Sequence, residues 1–407
     1  MNYTLLMDLA MDLGYELAMS GAETFRVEES ITRLLSSYGV ESDVFSIPNY
    51  IMITIRTDDG TPVTRMRRVC NNGINMDSVE KFSNLSRKIV SQRPSPEECH
   101  QWIMDTRNSC RCYSRQLQAL GYFAGAAGFG LFMGGTFADG ICAGLCGLLV
   151  GAVDTYLDNL KANLFFRTIA SSFLMTLLAC AFCAFGLAWN PDAVTIGALM
   201  ILVPGLLFTN AMRDIIYGDI NSGMIRIVQV FLVAAALSLG TATAWTVSNV
   251  IWQVPENLRP ADYNLVTECV LCFLGCIGFS LLFNIHELGV MICALGGTLT
   301  WVIFLIAQEL TGSAMIGYFF AAAAASIYSE VMARIRKFPA ITYLVISIFP
   351  LLPGAGIYYT MMHAFRGDLD AFTFQSLYTA GIAGTIAIGI LLVSTSVRLY
   401  HVWKYHK

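Results

Sequence analysis

From Leu117 onward the chain is divided into ten apolar segments, near 117–137, 140–157, 165–188, 191–213, 226–250, 264–284, 288–308, 313–333, 340–362 and 373–397. Each approaches the roughly 20 residues that a helix needs to cross the hydrocarbon core of a bilayer. A lipid solvent leaves backbone amides no water to bond, so segments of this length must be helical. Composition agrees: 56% of the 407 residues are hydrophobic, 13% are charged, and the mean hydropathy is +0.59. The expected fold is a polytopic α-helical membrane protein. The lipid bilayer is its first partner, and nothing in the charge pattern points to nucleic acid.

Charge divides the chain. Thirteen of the 25 Lys and Arg precede Gln116, which marks residues 1–116 as a polar head. The start, MNYTLLMDLAMDLGYELAMSGAETF, carries Asp8, Asp12 and Glu16 on an amphipathic helical pattern and lacks a signal-peptide run, so the head is expected in the cytoplasm. Leu5 to Leu17 and Val27 to Leu35 keep helical spacing on either side of Gly21, which predicts one broken helix or two in line. IMITIR alternates with period two, Asp59-Gly60 supplies a turn, and PVTRMRRV can return as a partner strand. A helix near Ser78–Val90 follows. In RPSPEE, Ser95 caps a last helix with Pro96 at its first position and Glu98 completing a capping box, and this helix is expected to run straight into the membrane. The head is therefore a small α+β cytoplasmic domain. With it inside, ten Lys and Arg flank the spans on the cytoplasmic side, against Arg259 and Arg366 on the other, which supports the orientation and the count in the cytoplasmic membrane.

The membrane body repeats itself. PGLLFTNAMRDIIYGD begins at Pro204 and PGAGIYYTMMHAFRGD at Pro353; GFGLF at Gly128 recurs as GFSLL at Gly278. Five segments (117–252) precede the polar break IWQVPENLRPADYN and five (264–400) follow it. An odd number of crossings per copy sends the second copy in from the opposite face, and inverted five-helix repeats mark secondary transporters.

Pro204 falls about 12 residues, or roughly 18 Å, into its segment, inside a core about 30 Å thick. Proline removes a helix donor and glycine permits close approach, so each Pro-Gly is expected to divide a segment into two half-helices. The amides that open the following half-helix suit an anionic group such as a substrate carboxylate. The expected binding residues are Pro204, Gly205, Thr209 and Asn210 with Pro353, Gly354, Gly356, Tyr358 and Tyr359. Paired kinks with no binding role are the plainer reading of the same residues.

Ionisable groups in or beside the spans are costly in lipid and often serve ion or proton paths. Asp154, Arg213, Asp214, Asp219, Glu268 and Asp368 are candidates for coupling or gating, with Asp154 and Glu268 the deepest. Asp139, Asp158, Asp192, His286, Glu287, Glu309 and Glu330 belong to the same inventory, near predicted ends. The 12 cysteines sit mainly in apolar runs and read as small hydrophobes; Cys99, His100, Cys110 and Cys112 fit no zinc spacing. No catalytic residues, metal or cofactor are expected, since GxSxG and HExxH are missing and Ile216 and Phe365 break the intramembrane aspartyl protease pattern. Faces such as GYFAGAAGFG and GICAGLCG can pack helices within one chain or in a homo-oligomer.

SGAETFRVEESITRLLSSYG, from Ser20 to Gly39, together with VPGLLFTNAMRDIIYGDINSG and LLPGAGIYYTMMHAFRGD, resembles the threonine/serine exporter family over essentially the whole chain. The resemblance implies a cytoplasmic domain followed by ten membrane helices, in the fused form of systems that elsewhere split the two halves, one such pair being linked to succinate export. It implies efflux of small amino acids or dicarboxylates, driven by a proton or cation gradient. It also draws attention to Gly21, Glu23, Thr24, Arg26 and Glu29, where the family's N-terminal motif lies. A channel or scaffold whose head recruits a partner is the reading from another class.

Overall fold

The computed structural model describes residues 3–70, 73–253 and 261–405. The central linker, with Arg259, and the terminal Lys407 therefore lie outside the described residues. The chain forms two compact units, the first made of residues 1–113 with 283–286 and 332–342, the second of 114–282, 287–331 and 343–407.

In the first unit, helices α1 (Tyr3–Met19) and α2 (Thr24–Ser37) precede strands β1 (Ser42–Ile47), β2 (Tyr50–Arg56) and β3 (Pro62–Arg68), and helices α3 (Met76–Gln92) and α4 (Pro96–Ser109) follow. The strands form an antiparallel sheet in the order β1-β2-β3, and Ile55 pairs with Val63 across the Asp59-Gly60 turn, where Gly60 has φ +80°. Ile51, Ile53 and Ile55 alternate onto the buried face of β2 and join Leu6, Leu9, Leu13, Ile31 and Leu34 in the core. Each such burial is worth about 1.5–3 kcal/mol. Asp8 and Asp12 of α1 pair with Arg65 and Arg67 of β3 at 3.1 and 2.5 Å, tying the sheet's edge strand to the first helix.

Two expectations for this region need correction. Helices α1 and α2 do not run in line: Gly21 takes φ +87°, the chain reverses, and Gly14 of α1 packs directly on Ile31 of α2. Nor does the last helix of the head continue into the apolar region. The Ser95–Glu98 capping box starts α4 as expected, but α4 ends at Ser109 and α5 starts afresh at Arg115 with Ser114 as its cap. Between them, Asn284 takes φ +59° and its amide holds the chain: its nitrogen donates to Asn75 Oδ1 at 2.8 Å and to the Arg111 carbonyl, and its oxygen accepts from the Tyr113 amide at 3.1 Å. The Tyr113 ring lies 4.2 Å from that of His286. Cys99 is fully buried beside Tyr38, whose phenol donates to the Pro94 carbonyl. Burial pushes the Cys99 thiol up, so it stays protonated and inert at neutral pH.

From Ser114 onward the chain runs through two successive series of helices, most of them in the second unit. The first runs α5 (Arg115–Phe132), α6 (Phe137–Asn159), α7 (Leu164–Ala184), α8 (Pro191–Leu199), α9 (Gly205–Tyr217) and α10 (Ile220–Trp252). The second runs α11 (Leu265–Leu282), α12 (Leu288–Thr311), α13 (Ala314–Arg336), α14 (Ala340–Ser347), α15 (Gly354–Arg366) and α16 (Leu369–Tyr405), with a short 3-10 turn at Phe349–Leu351. Position by position the lengths match: 18 and 18, 23 and 24, 21 and 23, 9 and 8, 13 and 13, 33 and 37. Seven described helices are long and apolar enough to span a bilayer, or eight when the bent α14–α15 pair counts as one span. Helix α5 and the interrupted α8–α9 pair account for the difference from ten apolar segments.

Helices α5 and α11 meet through glycine. A Cβ on Gly128 would lie 2.6 Å from Gly275 Cα, and one on Gly278 would strike the backbone of Gly125. The contacts are reciprocal, because Gly275 and Gly278 stand 150 residues after Gly125 and Gly128. Phe129 and Phe279, also 150 apart, face each other edge-on at 5.4 Å. We predict that Gly278→Leu costs more than the roughly 1–3 kcal/mol usual for overpacking, because backbone rather than a side chain must move. Thermal unfolding in detergent should show a large drop for this variant. Gly384→Ala, which meets only Met212 Cε at 3.5 Å, should leave the transition in place.

Candidate functional site

Both Pro-Gly pairs interrupt helices as expected. Helix α8 stops at Leu199 and α9 begins at Gly205, while α14 stops at Ser347 and α15 begins at Gly354. Helices α5, α6, α7 and α8 each open on a side-chain cap from Ser114, Thr136, Asn163 or Asn190, whereas α9 and α15 open on Pro204 and Pro353 with none. The amides of Gly205, Leu206 and Leu207, and those of Ala355 and Gly356, have no partner among the described residues. Unsatisfied first-turn amides carry the positive end of the helix dipole.

These two openings lie together. A Cβ on Gly205 would sit 3.1 Å from Leu352 Cβ and 3.8 Å from the Gly354 amide nitrogen; one on Gly354 would meet Met200 Sδ at 2.9 Å and Val203 at 3.3 Å. Val203 and Leu352 are themselves 149 residues apart, so here too each break touches its counterpart reciprocally. Thr209, one turn into α9, is 1% exposed and its hydroxyl has no partner among the described residues. The same holds for Thr379 of α16, which closes over Gly356: a Cβ there would lie 2.7 Å from Thr379 Oγ1. An alkyl group at Gly205 or Gly354 would press between the two helix starts, and one at Gly356 would press on the Thr379 hydroxyl.

The remaining predicted residues fall elsewhere. Tyr358 is buried in a cluster with Cys180 and Cys183 of α7 and Val194 of α8, and Tyr359 beside it is partly exposed, the two rings 5.3 Å apart. Asn210 is half-buried on α9. Asp154 is gripped by Arg167 of α7 through three hydrogen bonds of 2.7–2.9 Å, and the same guanidinium reaches Asp158. Asp214 faces Arg226 at 3.0 Å across the α9–α10 turn, without the alignment of a hydrogen bond. Arg213 is half-buried on α9, next to Asp214. Asp219 opens α10 without a side-chain cap bond, whereas Asp368 accepts from the Ala371 amide at 3.1 Å and caps α16. Glu268 lies in the first turn of α11 and accepts from the Trp301 indole at 3.3 Å.

In the N-terminal motif, Gly21 is the reversal itself, and a Cβ there would press 2.9 Å against the Gly73 carbonyl. Glu23 opens α2, Thr24 is buried, Arg26 is half-buried with its Nε enclosed, and Glu29 pairs with Arg33 at 2.7 Å. Sequence reasoning did not single out Thr379, which has no motif around it. It left Asp192 among the acids near segment ends, because the turn before α8 gives no sign of what it packs against.

Two family models, both described as threonine/serine exporters, match residues 8–248 and 268–396. The chain belongs to the threonine/serine exporter family. It is 22% identical over 403 residues to the threonine/serine exporter of Corynebacterium glutamicum, covering 95% of this chain and 81% of that one. The protein named "Probable threonine/serine exporter" of Mycobacterium tuberculosis is 22% identical over 58% of this chain, and the match spans 45% of that relative. The "Probable succinate transporter subunit YjjP" of Klebsiella aerogenes is 25% identical over 60% of this chain and 93% of its own. No solved structure matches. Family membership and the membrane-spanning helices make this a multi-pass membrane protein of a transporter family.

The Asp154–Arg167–Asp158 group joins α6 to α7 across the turn at Lys161. Arg167 is 15% exposed and Asp154 29%, so removal of the guanidinium leaves the half-buried Asp154 without its cation, beside the more exposed Asp158. Arg167→Gln should destabilise the protein by about 1–3 kcal/mol, and Arg167→Gln with Asp154→Asn should recover part of that loss. Thermal unfolding of the single and double variants measures both.

Proposed function

We propose that this exporter-family chain is a secondary transporter that moves small amino acids of the threonine/serine type out of the cell by alternating access. The substrate carboxylate docks where the uncapped starts of α9 and α15 converge at Gly205 and Gly354. That convergence is the observation that carries the reading: two helix starts with free amides, related by the repeat, flanked by the unpartnered hydroxyls of Thr209 and Thr379. Half-helices meeting inside the bilayer are the usual way a transporter builds a polar site without exposing backbone to lipid.

On this reading residues 117–252 and 264–400 are two inverted five-helix repeats, ten spans in all, and residues 1–116 are a cytoplasmic domain. The matched helix lengths and the reciprocal contacts at both glycine pairs support a two-fold relation between the halves. Residues 283–286, after α11, and 332–342, around the end of α13, fall in the same compact unit as the head, which supports the inverted arrangement. Rocking of one half against the other about the α5–α11 seam would open the site to each face in turn.

The succinate transporter subunit among the relatives supports a second reading, export of a dicarboxylate. Two convergent helix starts offer two anion sites, one for each carboxylate.

Counterflow of labelled threonine, serine and succinate in proteoliposomes separates these readings. Gly205→Leu and Gly354→Leu, checked for folding by their elution and unfolding profiles, should each lower counterflow at least about tenfold, the effect of losing one well-placed charge-assisted contact. Retention of threonine or serine exchange in the wild type with loss in both variants is the expected result. Exchange of succinate alone selects the dicarboxylate reading, and full activity in both leucine variants removes the site from the breaks.

A further inference from the structure

The carboxylates of the apolar region differ in what compensates them. Asp139 accepts from the Trp189 and Asn190 amides and from Thr136; Asp154 and Asp158 share Arg167; Asp214 faces Arg226; Glu268 accepts from Trp301. Glu330 is likewise engaged, and Glu309 is exposed near the end of α12. Two half-buried carboxylates are the exceptions: Asp219, in the turn before α10, and, inside a helix, Asp192. Asp192 lies in the first turn of α8, half-buried, and its carboxylate forms no hydrogen bond or ion pair with any described residue.

Its surroundings are specific. The neighbouring positions of α8 pack into the cluster that holds Cys180 and Cys183 of α7 and Tyr358 and Met362 of α15. The titratable and charged groups within electrostatic reach are Cys180 and Cys183 from α7, Tyr358, Tyr359 and Arg366 from α15, and Asp139 of α6 close by on the Asn190 amide. Thr195, one turn further along α8, contributes a buried hydroxyl with no partner among the described residues. Because α8 ends at Leu199 and Met200 touches Gly354, Asp192 stands about two turns from the break, roughly 12 Å along the helix. An ionised carboxylate with no close cation is costly in such a place, and proton binding removes the cost.

We propose that Asp192 is the proton-binding group that couples transport to a proton gradient. This rests on the transporter reading above. Asp192 takes a proton from water on one side of the membrane, becoming a neutral carboxylic acid that α8 and α15 can enclose. It returns the proton to water on the other side after the halves have moved. Arg366, at the far end of α15, is the cation that favours the ionised form when the acid is open to water. Proton and substrate then cross in opposite directions during one cycle, which makes accumulation against a gradient possible.

The test compares wild type, Asp192→Asn and Asp192→Glu in proteoliposomes, using labelled threonine, serine and succinate as probes. Counterflow is measured without a gradient, and accumulation is measured with the vesicle interior made acidic or alkaline. Asp192→Asn should keep counterflow within about twofold of wild type and lose gradient-driven accumulation at least about tenfold, while Asp192→Glu should keep both, since a carboxylate is what the position requires. Undiminished accumulation by Asp192→Asn overturns the assignment. So does loss of counterflow in a folded Asp192→Asn, which would put the residue in the substrate site, or a wild type whose accumulation ignores the pH gradient in both directions. Absence of wild-type counterflow with every probe counts against the transport reading itself, and so is distinguishable from failure at Asp192.

Discussion

Helices α5 and α11 cross backbone to backbone, Gly128 lying on Gly275 and Gly278 on Gly125, with the Phe279 and Phe129 rings closing over Gly125 and Gly275. In lipid, apolar surface gains little from contact with other apolar surface, so helices associate through close packing, and small residues permit it. The same crossing brings repeat-related residues onto each other, and it is continuous with the next layer: Gly130 of α5 packs against Gly197 of α8, which leads directly to the first break. The position of the Pro204 opening therefore depends on a glycine seam some distance away. Larger residues at this seam would separate the halves and, with them, the two helix starts.

The breaks themselves follow from what their residues lack. Proline cannot donate to the preceding turn, glycine brings no Cβ, and neither Pro204 nor Pro353 supplies a cap. Every other helix start in the first series except that of α10 has its own cap. A pair of openings left unsatisfied in this way suits a transported anion, which replaces the missing partners only while it is bound.

Much of this was legible in the sequence, for identifiable reasons. Apolar run length marked the helices α6, α7, α10 to α13 and α16, the Pro-Gly pairs marked where α9 and α15 begin, and Ser95-Pro-Glu-Glu marked α4, because caps and breaks are local chemistry. Strand β1 was missed, since SDVFSI has only one buried pair at its end and little alternation before it. The reversal between α1 and α2 was read as a straight break because Gly21 reports a change of backbone direction but not its size. The separation of α4 from α5 rests on Asn284, 171 residues beyond Tyr113, which no local pattern can foresee. Asp192 was hidden for the same reason: its neighbours Tyr358 and Arg366 come from the other half of the chain.

The central claim is that the two halves are inverted copies meeting at their breaks. Its most direct test uses Asn159 and Glu309, exposed residues 150 apart at the ends of α6 and α12. With Cys70, Cys110, Cys112 and Cys269 replaced, a single cysteine at each position is labelled with a membrane-impermeant maleimide in right-side-out and inside-out vesicles. Inverted repeats predict labelling of the two positions from opposite faces, Asn159→Cys from the cytoplasmic side. Labelling of both from the same face would contradict the account.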